Sequence, residues 1–110
     1  MKKFVAIYYA PAEAMAKMGT TSEEDKAKGM EAWMAWKAKA GDAIVDFGAP
    51  LMGGQELSAS GGWSGNGREV SGYSILQGES IEAVRALFEG HPHLSWAPGC
   101  SIQVSECVSM

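Results

Sequence analysis

The stretch KKFVAIYYA at residues 2–10 restricts the fold more than any other part of the chain. Both of its alternating sets are apolar: Phe4, Ala6 and Tyr8 on one side, Val5, Ile7 and Tyr9 on the other. Side chains along a strand alternate with a period of two, so a strand of this kind has to be covered on both faces. Pro11 stops it, because proline brings no amide hydrogen to a ladder. Two lysines, an apolar run and APAEA also mimic a secretory leader. The run is short and rich in β-branched and aromatic residues, which reads as a strand from Lys2 to Tyr9.

The longest helical segment is TTSEEDKAKGMEAWMAWKAKAGDAIVDFGAPL, residues 20–51. Ser22 with Asp25, or Thr21 with Glu24, offers a capping box, and Glu23, Glu24 and Asp25 suit the positive end of the helix dipole. Ala27, Met30, Trp33, Met34, Ala40 and Ile44 share one broad side of the wheel. Lys28, Glu31, Lys39 and Asp42 share the other. Gly41 marks a break or bend, Gly48 a C-terminal cap and Pro50 a stop. GQELSAS and REVSGYSILQ then read as two strands joined by GGWSGNG, with Asn66-Gly67 as the hairpin turn. ESIEAVRALFEG is a short helix capped by Ser80, striped by Ile81, Val84, Leu87 and Phe88, and ended by Gly90. In CSIQVSECV, Ile102 and Val104 alternate with Ser101, Gln103 and Ser105, which predicts a last strand.

The order β-α-β-β-α-β in 110 residues predicts one domain, residues 1–110, of the α+β class. It is ferredoxin-like: a four-stranded antiparallel sheet with both helices on one face. The first strand is apolar on its other face too, and Tyr73, Ile75 and Leu76 enrich the third. A second copy of the same sheet is the simplest cover, which predicts a homodimer and a dimeric α+β barrel. The net charge is −4, and nine Lys and Arg are spread along the chain. That balance predicts no nucleic-acid partner and no membrane partner. Cys100 and Cys107 lack CxxC spacing and read as reduced thiols of a cytoplasmic protein.

Candidate chemistry centres on EGHPHLSWAPG, residues 89–99, which holds both histidines. Histidine moves protons or binds metal near neutral pH. His91 and His93 lack a third ligand at familiar spacing, so neither metal nor cofactor is expected. Two readings stay open: a shaped turn, or an imidazole lining a pocket as acid, base or donor. Within a turn the two diverge. His93, next to Leu94 as an anchor, takes the structural role and His91 the pocket. Asp42 and Asp46, four apart, would share one face if the helix continued past Gly41. Trp36 lies off the centre of the apolar stripe and reads as an interface or pocket residue. Ligand-binding candidates are Trp36, Asp46, Tyr8, Tyr73 and Gln103. GGWSGNG is no P-loop, and Ser64 misses the nucleophile elbow because Asn66 stands where a glycine belongs.

MEAWMAWKAKAGDAIVDFGAPL, VSGYSILQGESIEAVRAL and GHPHLSWAPGCSIQVSECVSM resemble the YCII-related family of dimeric α+β barrels. The resemblance runs from about Lys3 to Met110 and implies the same fold and a homodimer. In some members a His near the middle of the first helix and an Asp after a helix glycine are proposed as an active pair. Asp42, after Gly41, matches that Asp, while Met30 stands at the His position. The expected function is a small metal-independent enzyme. It performs acid/base proton transfer, an isomerisation or elimination, on a small organic molecule, with Asp42 and His91 or His93. The alternative is a non-catalytic small-molecule-binding or accessory dimerisation module.

Overall fold

The computed structural model describes residues 1–17, 20–65 and 68–110. β1 (Lys2–Tyr9) is central, and the alternation that marked it is visible in its burial: Phe4, Ala6 and Tyr8 are buried, while Val5, Ile7 and Tyr9 are half-exposed. β1 pairs antiparallel with β5 (Val70–Gly78) on one side and with β6 (Ser101–Cys107) on the other. β2 (Ile44–Pro50) lies outside β5, so the sheet runs β2-β5-β1-β6 and is antiparallel throughout. With α2 (Glu23–Ala40) and α3 (Ile81–Leu87) this is the α+β, four-stranded antiparallel arrangement that the element order predicts.

The second strand is not where the pattern placed it. The helix expected over residues 20–51 ends at Ala40. Gly41 adopts φ 54°, a left-handed conformation that favours glycine, and its amide donates to Lys37 O. Beyond a 3-10 turn at Gly41–Ala43, the β-branched and aromatic residues Ile44, Val45 and Phe47 continue as β2. Gly48 is therefore no helix cap. It sits at φ 85° within the register shift between Asp46 and Ala49, pressed so close to β5 that a Cβ would lie 1.7 Å from Tyr73 O. The shared helix face for Asp42 and Asp46 does not form either: one is in the turn, the other in the strand. GQELSAS contributes β3 (Gln55–Leu57), which pairs with β4 (Trp63–Gly65) in a separate two-stranded ribbon. The Asn66-Gly67 turn lies outside the described residues. A short α1 (Ala12–Lys17) follows Pro11, an element that sequence reading left unassigned.

Both longer helices start as expected: Ser22 Oγ accepts from Asp25 N, and Ser80 Oγ from Ala83 N. The core gathers Phe4, Ala6 and Tyr8 of β1, Leu76 of β5, Trp36 and Ala40 of α2, and Val84 and Phe88. Here α2 departs from its predicted stripe. Met30 and Met34 are exposed, Trp33 is at the margin, and Trp36 with Ala40 faces inward. Trp36 goes inside with its indole N–H donating to Leu87 O at 2.8 Å, which keeps its one polar group paired. Leu94 is exposed, so it does not anchor the segment. On the sheet's other side, Val5, Ile7, Tyr73 and Ile75 share two adjacent rows and are only half-buried. Among the described residues, no helix is long and apolar enough to cross a membrane.

Candidate functional site

The candidate site lies under α2, at the end of β1 that leads into Ala10. Pro92 fixes a bend after α3, and Pro92–Ser95 forms a 3-10 turn with His91 as its N-cap. That turn drives both imidazoles inward; His91 and His93 are both buried. His93 is tied down: its Nε2 donates to Tyr9 O at 2.8 Å. Burial lowers its pKa, and backbone hydrogen bonds with Tyr9 and Ser101 oppose that shift.

His91 is held differently. Its Nδ1 accepts from His93 N at 3.0 Å, so this nitrogen carries no proton and the neutral ring has its hydrogen on Nε2. Burial, and secondarily the neighbouring His93, push its pKa down to about 4. The ring stacks on Tyr8 at 5.4 Å and meets Trp33 and Trp36 edge-on, each at 4.5 Å. Phe88 lies 5.6 Å away and tilted. Inside this aromatic box His91 Nε2 is buried and has no hydrogen-bond partner among the described residues.

The two hydroxyls nearby are satisfied. Ser74 Oγ donates to Phe47 O at 2.7 Å. A hydroxyl has one hydrogen, so in the 2.8 Å contact between Tyr8 and Ser74 the phenol donates. Burial raises the Tyr8 pKa to about 12 against the opposing effect of that hydrogen bond. A cleft of about 430 Å³ opens between α2 and the turn, walled by Ala32, Ala35 and Trp36 on the helix and by Gly90 and Pro92, the two chain neighbours of His91. Lys39 and Glu89 also line it.

The sequence candidates divide into three places. Tyr8, Trp36, His91 and His93 come together in the box. Asp46 and Tyr73 meet on the sheet's open side, through a long 3.4 Å contact from the phenol to Oδ2, while Asp46 Oδ1 accepts from Gly48 N. Gln103 is on the same open side, in one row with Ile7 and Tyr73, and reaches Ser105 Oγ. Asp42 is exposed, and its carbonyl accepts from Gln77 Nε2. Gln77 pairs with Lys3, whereas His93 attaches at Tyr9. Six residues of strand, about 20 Å, lie between those points. The structure thus does not bring Asp42 to either histidine.

The sequence places Trp33 in the core stripe of its helix rather than in a site, and Ser74 was missed. Ser74 carried a usable signal, a hydroxyl in the inward set Gly72, Ser74, Leu76 of β5. Among the described residues no three His, Cys, Asp or Glu side chains cluster in a way that could hold a metal ion.

No protein-family model and no curated protein matches the sequence. Among solved structures the chain is similar to 5-chloro-2-hydroxyhydroquinone dehydrochlorinase from Burkholderia phenoliruptrix, in complex with 2,5-dihydroxybenzoquinone. The identity is 15% and the TM-score 0.46, over 94% of this chain and 91% of that one. A likeness of that size carries nothing about activity or ligand.

Proposed function

We propose that this chain is a YCII-related small-molecule-binding protein, a homodimer, in which His91 donates a hydrogen bond to an oxygen of an organic ligand. The observation that carries this reading is the buried, unpartnered Nε2 of His91. Leaving a buried donor unsatisfied costs roughly 1–3 kcal/mol, which a ligand oxygen accepting from it would offset. The surrounding rings of Tyr8, Trp33 and Trp36 suit a flat, mostly apolar molecule with few polar atoms. The cleft beside Gly90 and Pro92 reaches the two chain neighbours of His91.

A neutral imidazole with its proton on Nε2 polarises a bound oxygen and does not take up a proton at pH 7. That is one half of an isomerisation or elimination. The other half needs a base. Asp42, the expected one, sits toward the far end of β1, and among the described residues no carboxylate bonds either imidazole. Binding with polarisation is therefore favoured over full proton transfer. The homodimer reading is supported by the two adjacent pairs Val5–Ile75 and Ile7–Tyr73, four apolar or aromatic side chains left half-exposed on one sheet face. Two free thiols suit a reducing, cytoplasmic setting.

The test is a screen of small carbonyl and hydroxyaromatic compounds, read by thermal stabilisation and by the NMR signal of His91 Nε2–H. A ligand should move that signal, and His91→Asn, which keeps an acceptor for His93 N but removes the Nε2 donor, should abolish binding. Ligands that bind the Asn variant as tightly as the original chain would refute the assignment.

A further inference from the structure

The ribbon of β3 and β4 has no role in the site above. We infer that it is an intersubunit clasp, whose Leu57–Trp63 side packs on a second copy of this chain. The inference rests on the homodimer reading and adds a contact to it.

Every described residue from Leu51 to Glu69 is exposed. Leu57 and Trp63 stand directly opposite each other across the ribbon, yet are 55% and 67% exposed. Met52 at the base is 72% exposed. An isolated two-stranded hairpin is marginal in water, so an arm carrying a tryptophan in the open lacks a packing surface. The chain's shape agrees with an arm that leaves the body. Its radius of gyration is 15.1 Å, where about 13 Å is typical of a compact domain of this length.

The root, by contrast, is fastened. Glu69 takes φ 56°, a strained conformation for a residue with a side chain. It is held there because its carbonyl accepts from Ala10 N at 3.0 Å and its carboxylate from Ala12 N at 2.7 Å. Arg68 Nε in turn binds Glu56 Oε1 at 2.8 Å. An arm with a fixed root presents its apolar side in a set direction.

Charge and symmetry select the occupant. LSASGGWSG, residues 57–65, holds no charged residue, and Arg68 neutralises Glu56 beside it. An uncharged side of this kind meets a second chain of net charge −4 without adding like-charge repulsion. A two-fold contact also requires that each arm meet a surface the chain itself displays. The chain displays one in the half-buried side chains of Val5, Ile7, Tyr73 and Ile75 on its own sheet, whose strands β2 and β5 flank the arm in sequence.

The experiment is sedimentation velocity over a dilution series for the original chain and for Leu57→Ser/Trp63→Ser. Amide hydrogen exchange of β3 and β4 is followed above and below the dissociation constant. Both side chains are exposed within the chain, so the variant should fold, with unchanged far-UV circular dichroism. The clasp predicts a dissociation constant raised about tenfold or more, and arm amides that lose protection on dilution. A dimer equally tight in the variant, or arm amides unprotected in the saturated dimer, overturns the clasp and leaves the dimer standing. A wild-type chain that stays monomeric at micromolar concentration overturns both.

Discussion

Acidification is the perturbation that tests the aromatic box most directly. In the unfolded chain His91 titrates near 6.5, and in the fold near 4. The depressed value means that the fold favours the neutral ring. Above pH 6.5 both states are neutral and the full stability is present. As the pH falls from 6.5 toward 4, the unfolded chain takes up a proton that the folded one refuses, and stability is lost. Below 4 both states bind it and the loss levels off. The difference between 6.5 and about 4 corresponds to ~3 kcal/mol. That is a large part of the roughly 5–15 kcal/mol that holds a typical domain together. His93, also lowered, adds a loss of the same sign. The contribution of His91 is therefore read as the difference between the wild type and His91→Asn, which cannot titrate. Urea midpoints measured from pH 7 to pH 4 should fall more steeply for the wild type than for the variant. The NMR titration of the His91 ring should have its midpoint near 4. Parallel slopes, together with a His91 midpoint near 6.5, would refute the burial argument and the fixed tautomer with it.

Other perturbations follow from single contacts. Gly48→Ala should destabilise by more than ~2 kcal/mol, because its Cβ has no space against Tyr73 O; a denaturation midpoint within error of wild type would contradict this. Ser74→Ala leaves the Tyr8 hydroxyl without its acceptor and should cost about 1–3 kcal/mol. Tyr8→Phe removes that hydroxyl as well and should cost less, so the double variant is expected to be closer to Ser74→Ala than the sum of the two. His93→Ala should lose about 1–2 kcal/mol with the Tyr9 anchor, measured by thermal unfolding, and an unchanged melting curve would remove its structural role.

What the sequence determined was set by local periodicity. β1 and its two apolar sets, α3 with its Ser80 cap and the alternating β6 were all legible, because strand alternation and helix capping act within a few residues. The β-α-β-β-α-β order survived even though its second strand was misplaced. Ile44–Pro50 reads either as the end of a helix or as a strand, and pairing with β5, a contact some thirty residues away, decided it. The rotation of α2 had the same origin: Met30 and Trp36 are both apolar, and Leu87 O, present only once α3 is docked, chose the indole. The histidines show the division most clearly. Gly90 and Pro92 announced a turn, and the turn carries both rings inward. Which ring was anchored and which left without a partner depended on where Tyr8 and Tyr9 lay across the core, a distance of more than eighty residues that no local pattern encodes.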